Sequence, residues 1–177
     1  MQLSIVVAND GHKKHAAAIS QMMKDAARIK GTGIAERTPE YIQQKIAEEK
    51  AVIALDDDKV IGFCYIESWE NHKYVANSGL ITHPEYRNLG LAKKIKQAIF
   101  TLSREKFPNA KLFGITTSMA VMKINSSLGY TPVTFSALTK DETFWKGCES
   151  CQYYDILQRT DRNMCLCTGM VCIPDTH

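Results

Sequence analysis

The sequence predicts an α+β fold in a single domain, and three observations carry that reading. Short runs rich in β-branched residues alternate with stretches whose apolar residues recur every three or four positions. Their order is strand, two helices, three strands, helix, strand, helix, two strands. No internal repeat and no Pro-, Gly- or Ser-rich linker divides the chain. Its 177 residues, 45% apolar and 23% charged, suit one core of ordinary size.

Leu3 to Val7 reads as the first strand. Asp10 serves as the cap of the next element, in which Ala16, Ile19, Met22, Met23, Ala26 and Ala27 recur on one face until Gly31-Thr32-Gly33 breaks the helix. Thr38 caps a second helix whose first position, Pro39, lacks only an N–H that has no helical acceptor anyway. Tyr41, Ile42, Ile46 and Ala47 form its inner face. Ala51 to Leu55 and Lys59 to Ser68 make a hairpin around Asp56-Asp57-Asp58, which is a solvated turn because no further ligands follow at calcium-loop spacing. Lys73 to Thr82 is the next strand, and Lys111 to Thr117 the one after the central helix. A short helix from Ser118 to Leu128 stops at Gly129. Tyr130 to Phe135 and Gln152 to Leu157 complete the expected strands.

The stretch from Ser78 to Lys106 organises the rest. An apolar run meets a turn at His83-Pro84, and Arg87-Asn88-Leu89-Gly90-Leu91-Ala92 then opens a long helix with Leu91, Ile95, Ile99 and Leu102 on one face. The first-turn N–H groups of such a helix lack intrahelical partners and sit at its positive end, so the junction is an anion site. Gly90 admits a ligand close to the backbone, Ala92 keeps the next contact small, and Arg87 adds a fixed charge. Three glycines would be needed for a dinucleotide fingerprint and Gly-Lys-Ser/Thr for a P-loop; neither is present.

Arg-x-x-Gly-x-Ala between a strand and an amphipathic helix resembles the pyrophosphate loop of the GNAT acyltransferases, which bind acetyl-CoA. Ile124-Asn125-Ser126-Ser127-Leu128-Gly129-Tyr130 is a second match, and the resemblance covers roughly residues 1 to 157. It implies an α/β/α sandwich around a mixed sheet in which strands four and five splay. It further implies that backbone groups of Leu80, Ile81 and Thr82 hold the pantetheine arm and supply the oxyanion donor. Arg87, Asn88, Leu89, Gly90, Leu91, Ala92 and Lys93 would hold the pyrophosphate, with the helix carrying Ser118 and Asn125 closing over the other side. Residues 1–157 are then the acetyltransferase domain, and residues 158–177 a cysteine-rich tail packed on it.

Acyl transfer to an amine needs a base for the amine, a donor for the oxyanion and an acid for the thiolate. Many members of the family carry a tyrosine acid where this chain has Asn125, and an amide hydrogen-bonds but does not act as a general acid. Ser118 also departs from a frequent asparagine. Glu67, at its strand end, is the first candidate base, with His83 and His72 next by their ordinary titration range. A surface carboxylate is the other reading of Glu67. Lys93, Lys94 and Lys96 lie where they can reach nucleotide phosphates, or simply form a solvated helix face. Arg28 and Arg37 flank the loop between the first two helices, which shapes the acceptor site in relatives, and a pair of arginines there suits a carboxylate.

The expected activity is acetyl-CoA-dependent N-acetylation of a small amine, such as an amino acid or related metabolite, by direct attack on the thioester. The alternative is a non-catalytic acyl-CoA-binding or regulatory module on the same fold. Net charge is only +3 with Lys and Arg scattered, which argues against a nucleic-acid partner. No apolar run is long enough for a membrane span, and Leu3 to Ala8 is too brief for a signal peptide, so a cytoplasmic protein is expected, a homodimer remaining open.

Five of the six cysteines fall in the last thirty residues. Cys148 and Cys151 form a C-x-x-C pair, Cys165 and Cys167 a C-x-C pair, and Cys172 follows. Three readings stand: a structural zinc ion on Cys148, Cys151, Cys165 and Cys167, a redox pair at Cys148 and Cys151, or free thiols.

Overall fold

The computed structural model describes residues 2–29 and 33–175. They form two compact units, Met1–Glu67 with Asn77–Lys106 and Ser68–Ala76 with Phe107–His177. The hydrogen-bonded strand order is β1-β2-β3-β4-β5-β7-β6, where β1 is Leu3–Val7, β2 Ala51–Asp56, β3 Lys59–Trp69, β4 Tyr74–Thr82, β5 Lys111–Thr116, β6 Thr131–Val133 and β7 Thr168–Cys172. β1, β2 and β3 run antiparallel, whereas β4 runs parallel to β5, so the sheet is mixed and the α+β class expected from the sequence is the one found.

In the first unit the helices are α1, Ala16–Ala27, α2, Pro39–Ala47, and α3, Leu91–Lys106. A 3-10 turn, Asp10–His15, precedes α1, and its cap is Asn9, not Asp10: the Asn9 side chain accepts the Gly11 N–H at 3.0 Å. Asp10 instead pairs with Lys13. α1 ends at Ala27 with Arg28 as its C-cap, and the Gly31-Thr32 part of the expected break lies outside the described residues. Thr38 caps α2 by accepting the Tyr41 N–H. The β2–β3 turn closes with Asp57 in the left-handed region, φ 51°, which a short polar side chain tolerates. Ile19, Met23, Ile42, Ile46, Ile53 and Phe63 are fully buried and build this unit's core, at about 2 kcal/mol or more for each side chain. Gly62 has a packing reason: a Cβ there collides with Ile95 of α3.

The second unit holds the start of β4, then β5, α4 (Met119–Ser127), β6, α5 (Glu142–Lys146), α6 (Tyr154–Arg159) and β7. Two expectations are corrected here. Gln152 to Leu157 is not a strand; α6 occupies most of it, because the apolar residues Tyr154 and Leu157 lie three apart and a six-residue window cannot separate the two periods. The last strand is instead β7, inside the cysteine-rich tail, pairing antiparallel with both β5 and β6. Its Gly169 lies under Leu138 and Phe135, where a larger residue would have to displace Leu138. No described helix is long and apolar enough to cross a membrane.

Candidate functional site

β4 delivers the chain through His83 to a 3-10 turn at Pro84–Tyr86, and Arg87, Asn88, Leu89 and Gly90 follow exposed. Two bonds pin this loop: the Tyr86 hydroxyl donates to Asp56 at 2.7 Å, and Lys59 pairs with Glu85 at 3.0 Å. Asn88 and Gly90 both lie in the left-handed region, φ 64° and 72°. A Cβ added at Gly90 would meet nothing within 4 Å, so the glycine serves the backbone turn and leaves open space in front of it. The Lys94 N–H donating to the Gly90 carbonyl at 3.2 Å opens α3's ladder. The N–H groups of Leu91, Ala92 and Lys93 therefore point forward without helical acceptors. Exposed Lys93 and Lys94 stand beside them, but Lys96 is buried and donates to Asn77 at 3.0 Å, so it does not belong to a phosphate-facing set. Of the upstream β4 residues, Ile81 is buried, and Leu80 and Thr82 are half-buried.

Glu67 ends the β3 segment of this unit, and its carboxylate pairs with Lys45 at 3.0 Å, both side chains mostly covered. Lys45 also donates to the Ile66 carbonyl at 2.9 Å. Tyr41 and Lys45 share one face of α2, and Tyr65 and Glu67 share one face of β3. Arg37 joins them: its Nε donates to the Tyr65 hydroxyl at 3.0 Å, and its guanidinium lies 4.8 Å from the Tyr41 ring centre. Burial pushes the Lys45 ammonium down to about 8, with Lys50 and Arg37 adding repulsion and Glu48 opposing. An anion at 3.0 Å favours the charged form, so Lys45 stays mostly protonated at pH 7. Burial likewise raises Tyr65. Arg28 is exposed, at the end of α1. His83 accepts the Glu85 N–H as a turn cap, and His72 bonds Ser68 in the second unit. Sequence reasoning missed Lys45, Tyr41 and Tyr65; the i, i+4 spacing of Tyr41 and Lys45 and the i, i+2 spacing of Tyr65 and Glu67 were the available signal.

The remaining candidates belong to the second unit. Ser118 caps α4, its hydroxyl accepting the Val121 N–H at 3.3 Å. Asn125 is 4% exposed, its amide nitrogen 3.9 Å from the Met170 sulfur and its Oδ1 without a hydrogen-bond partner among the described residues. The four-cysteine zinc site finds no support: among the described residues no group of three or more His, Cys, Asp or Glu side chains is arranged to hold a metal ion. Cys148, Cys165 and Cys167 instead pack against an aromatic cluster that includes Trp69, Phe113, Phe144 and Trp145. The Cys165 thiol faces the Tyr153 carbonyl at 3.8 Å. Burial, then neighbouring thiols, pushes Cys148 up to about 11 and Cys167 to about 12, which keeps both protonated and apolar.

Comparison with known proteins agrees with the fold. Among solved structures, N-acetylglutamate synthase from Neisseria gonorrhoeae, complexed with coenzyme A and N-acetyl-glutamate, is similar at 16% identity and a TM-score of 0.67. The match covers 99% of this chain and 36% of that one, so this chain spans about a third of the synthase. Rv2747 from Mycobacterium tuberculosis, in complex with CoA, gives 15% identity and 0.66, covering 96% of this chain and 98% of that one. A phosphinothricin acetyltransferase from Sinorhizobium meliloti, in complex with acetyl-CoA, gives 14% and 0.64 over 98% and 89%. At such identities the likeness is one of fold. No curated protein matches by sequence. The model of the acetyltransferase (GNAT) family matches residues 19–121, more than half of the chain. The chain belongs to the GNAT acetyltransferase family.

Proposed function

We propose that this protein transfers the acetyl group of acetyl-CoA to the nitrogen of a small amine, an amino acid or related metabolite, by direct attack on the thioester. The observation that carries this reading is the Arg87–Lys93 junction, where two left-handed residues and open space at Gly90 precede first-turn N–H groups that have no helical acceptors. That is a cradle for a pyrophosphate. In the reaction the amine nitrogen bonds to the carbonyl carbon, the C–S bond breaks, and the amine's proton leaves as the thiolate is protonated. Backbone groups of Leu80, Ile81 and Thr82 are the assigned holders of the pantetheine arm. Glu67 is the assigned proton acceptor, its carboxylate paired with Lys45 at 3.0 Å. Ser118 and Asn125 are assigned to the cofactor, Asn125 through its unpartnered Oδ1, which is an acceptor for an N–H. No side chain in this assignment replaces the family's tyrosine acid, so the thiolate takes its proton from solvent or from the acceptor's own ammonium.

Mixing the protein with acetyl-CoA and a panel of amines, with thiol release as the readout, tests the transfer. Acetylation of at least one small amine above the hydrolysis background is expected. Binding without transfer would favour an acyl-CoA-binding module instead. Gly90→Asp tests the cradle separately: losing a charge-assisted phosphate bond costs about 1.5–3 kcal/mol, so CoA affinity should fall at least tenfold by calorimetry. An unchanged affinity with the fold intact removes the pyrophosphate from this loop.

A further inference from the structure

We propose that Arg37 and Tyr65 form a carboxylate receptor in the acceptor site, so that the amine acetylated carries a carboxylate, as a free α-amino acid does. The inference rests on the transfer reading above and narrows it to a substrate class. Arg37 is fixed at three points. Its carbonyl accepts the Ser20 hydroxyl at 2.6 Å, its Nε donates to the Tyr65 hydroxyl at 3.0 Å, and its plane lies over Tyr41. Its two terminal nitrogens, by contrast, have no partner among the described residues, and the side chain is only half-buried. A guanidinium so held presents a fork whose orientation is set before any ligand arrives.

Tyr65 is 2% exposed and uses a lone pair, not its proton, on Arg37, which leaves its O–H to donate. Fork and hydroxyl thus supply three donors from groups already in contact, enough for the two oxygens of one carboxylate. Charge agrees. Arg37 and Lys45 both lie over the Tyr41 ring, at 4.8 and 5.5 Å, and Glu67 neutralises only one of them. Glu48 and Lys50, the other charged groups near Lys45, pair with each other at 3.1 Å. Among the described residues no carboxylate pairs with Arg37, which lies beside two aromatic rings. Glu67 follows Tyr65 by two residues on the same strand face, about 7 Å along it. That is the span of a small amino acid hydrogen-bonded at its carboxylate and its amine.

The experiment compares each amino acid in a panel with its carboxamide and its decarboxylated amine, by thiol release and by calorimetric binding. The carboxylate member should exceed the other two at least tenfold in kcat/KM. Tyr65→Phe and Arg37→Gln should each erase most of that preference through KM, with CoA affinity within twofold of wild type. Equal use of acids and amides overturns the proposal, as does a preference that survives both variants. If nothing is turned over, calorimetry decides alone: amino acids binding better than amides, lost in Tyr65→Phe, upholds the receptor while the transfer reading falls, and no such difference overturns it.

Discussion

Two aromatic clusters, one in each unit, surround their rings with very different neighbours. In the first, Tyr41 and Tyr65 meet edge to face and are ringed by Arg37, Lys45 and Glu67. In the second, Trp69, Phe113, Phe144 and Trp145 meet edge to face and are ringed by Cys148, Cys165 and Cys167. Charged groups keep donors available only when something orients them without consuming them, and the tyrosine hydroxyl does that for Arg37. Cys148 and Cys167, kept protonated by burial, have little to offer a polar ligand and behave as small apolar side chains. One cluster is therefore fitted for recognition and the other for packing.

If the second cluster is packing, deleting its largest ring should cost the most of any change considered. Trp145 is 3% exposed, its indole N–H donates to the Thr139 carbonyl at 2.8 Å, and Arg162 lies over its ring. Trp145→Ala should lower unfolding stability by about 3–5 kcal/mol, read by denaturant titration. A loss under about 1 kcal/mol would mean that this cluster is not a core. The thiols sharpen the same point. At pH 8 a cysteine with the ordinary value is about a quarter thiolate, whereas Cys148, at about 11, is ionised in roughly one molecule per thousand. Cys148 and Cys167 should alkylate at least a hundredfold more slowly than free cysteine, with mass mapping of the labelled sites as the check. Fast labelling at both would break the contrast between the clusters.

How far the sequence revealed these two regions differs for physical reasons. The turn into α3 was legible because such a junction needs particular residues in a row: a left-handed glycine, a small residue after it, and an apolar stripe starting at Leu91. Most strands were legible from their β-branched runs. β7 was not, because Met170, Val171 and Cys172 sit among cysteines that draw a chemical reading away from a buried strand. The zinc expectation found no support on the same ground: spacing is one-dimensional and does not say whether thiols are arranged around a metal ion, and among the described residues no such group is found. Lys45 escaped notice because a lysine on an amphipathic helix reads as solvated, and only the fold shows Glu67 opposite it. Arg37 and Glu67 were named singly, without the tyrosines that join them.

Lys45 offers a pH test of the charged cluster. Its value falls from 10.5 to about 8 on folding, so between those limits the unfolded chain holds a proton that the folded chain has released. Stability contributed at this position must then rise as pH climbs from about 8 toward 10.5, and be at its lowest below 8. Lys45→Met should flatten that rise in thermal or denaturant unfolding run across pH 7.5 to 10.5, and NMR titration of the Lys45 side chain should centre near 8. A midpoint above 10 would show the side chain to be solvated and the cluster open.

The smallest expected effect is at Asn125, where the polar group is buried in the second unit without the satisfied hydrogen bonds that orient Arg37 in the first. Its Oδ1 has no partner among the described residues and its nitrogen reaches only a thioether. An amide at this depth either meets a ligand or costs stability, and in neither case does it titrate. Asn125→Ala should therefore change CoA affinity or rate by a modest factor while leaving the shape of the pH–rate profile untouched. A general acid behaves otherwise: removing it removes its limb, which for a phenol lies near pH 10. A wild-type limb at pH 9–10 that vanishes in Asn125→Ala would show that this residue controls a proton after all. The same limb persisting, with a change in CoA affinity of about two- to twelvefold, would fit an amide that only holds the cofactor, since a single neutral hydrogen bond is worth about 0.5–1.5 kcal/mol.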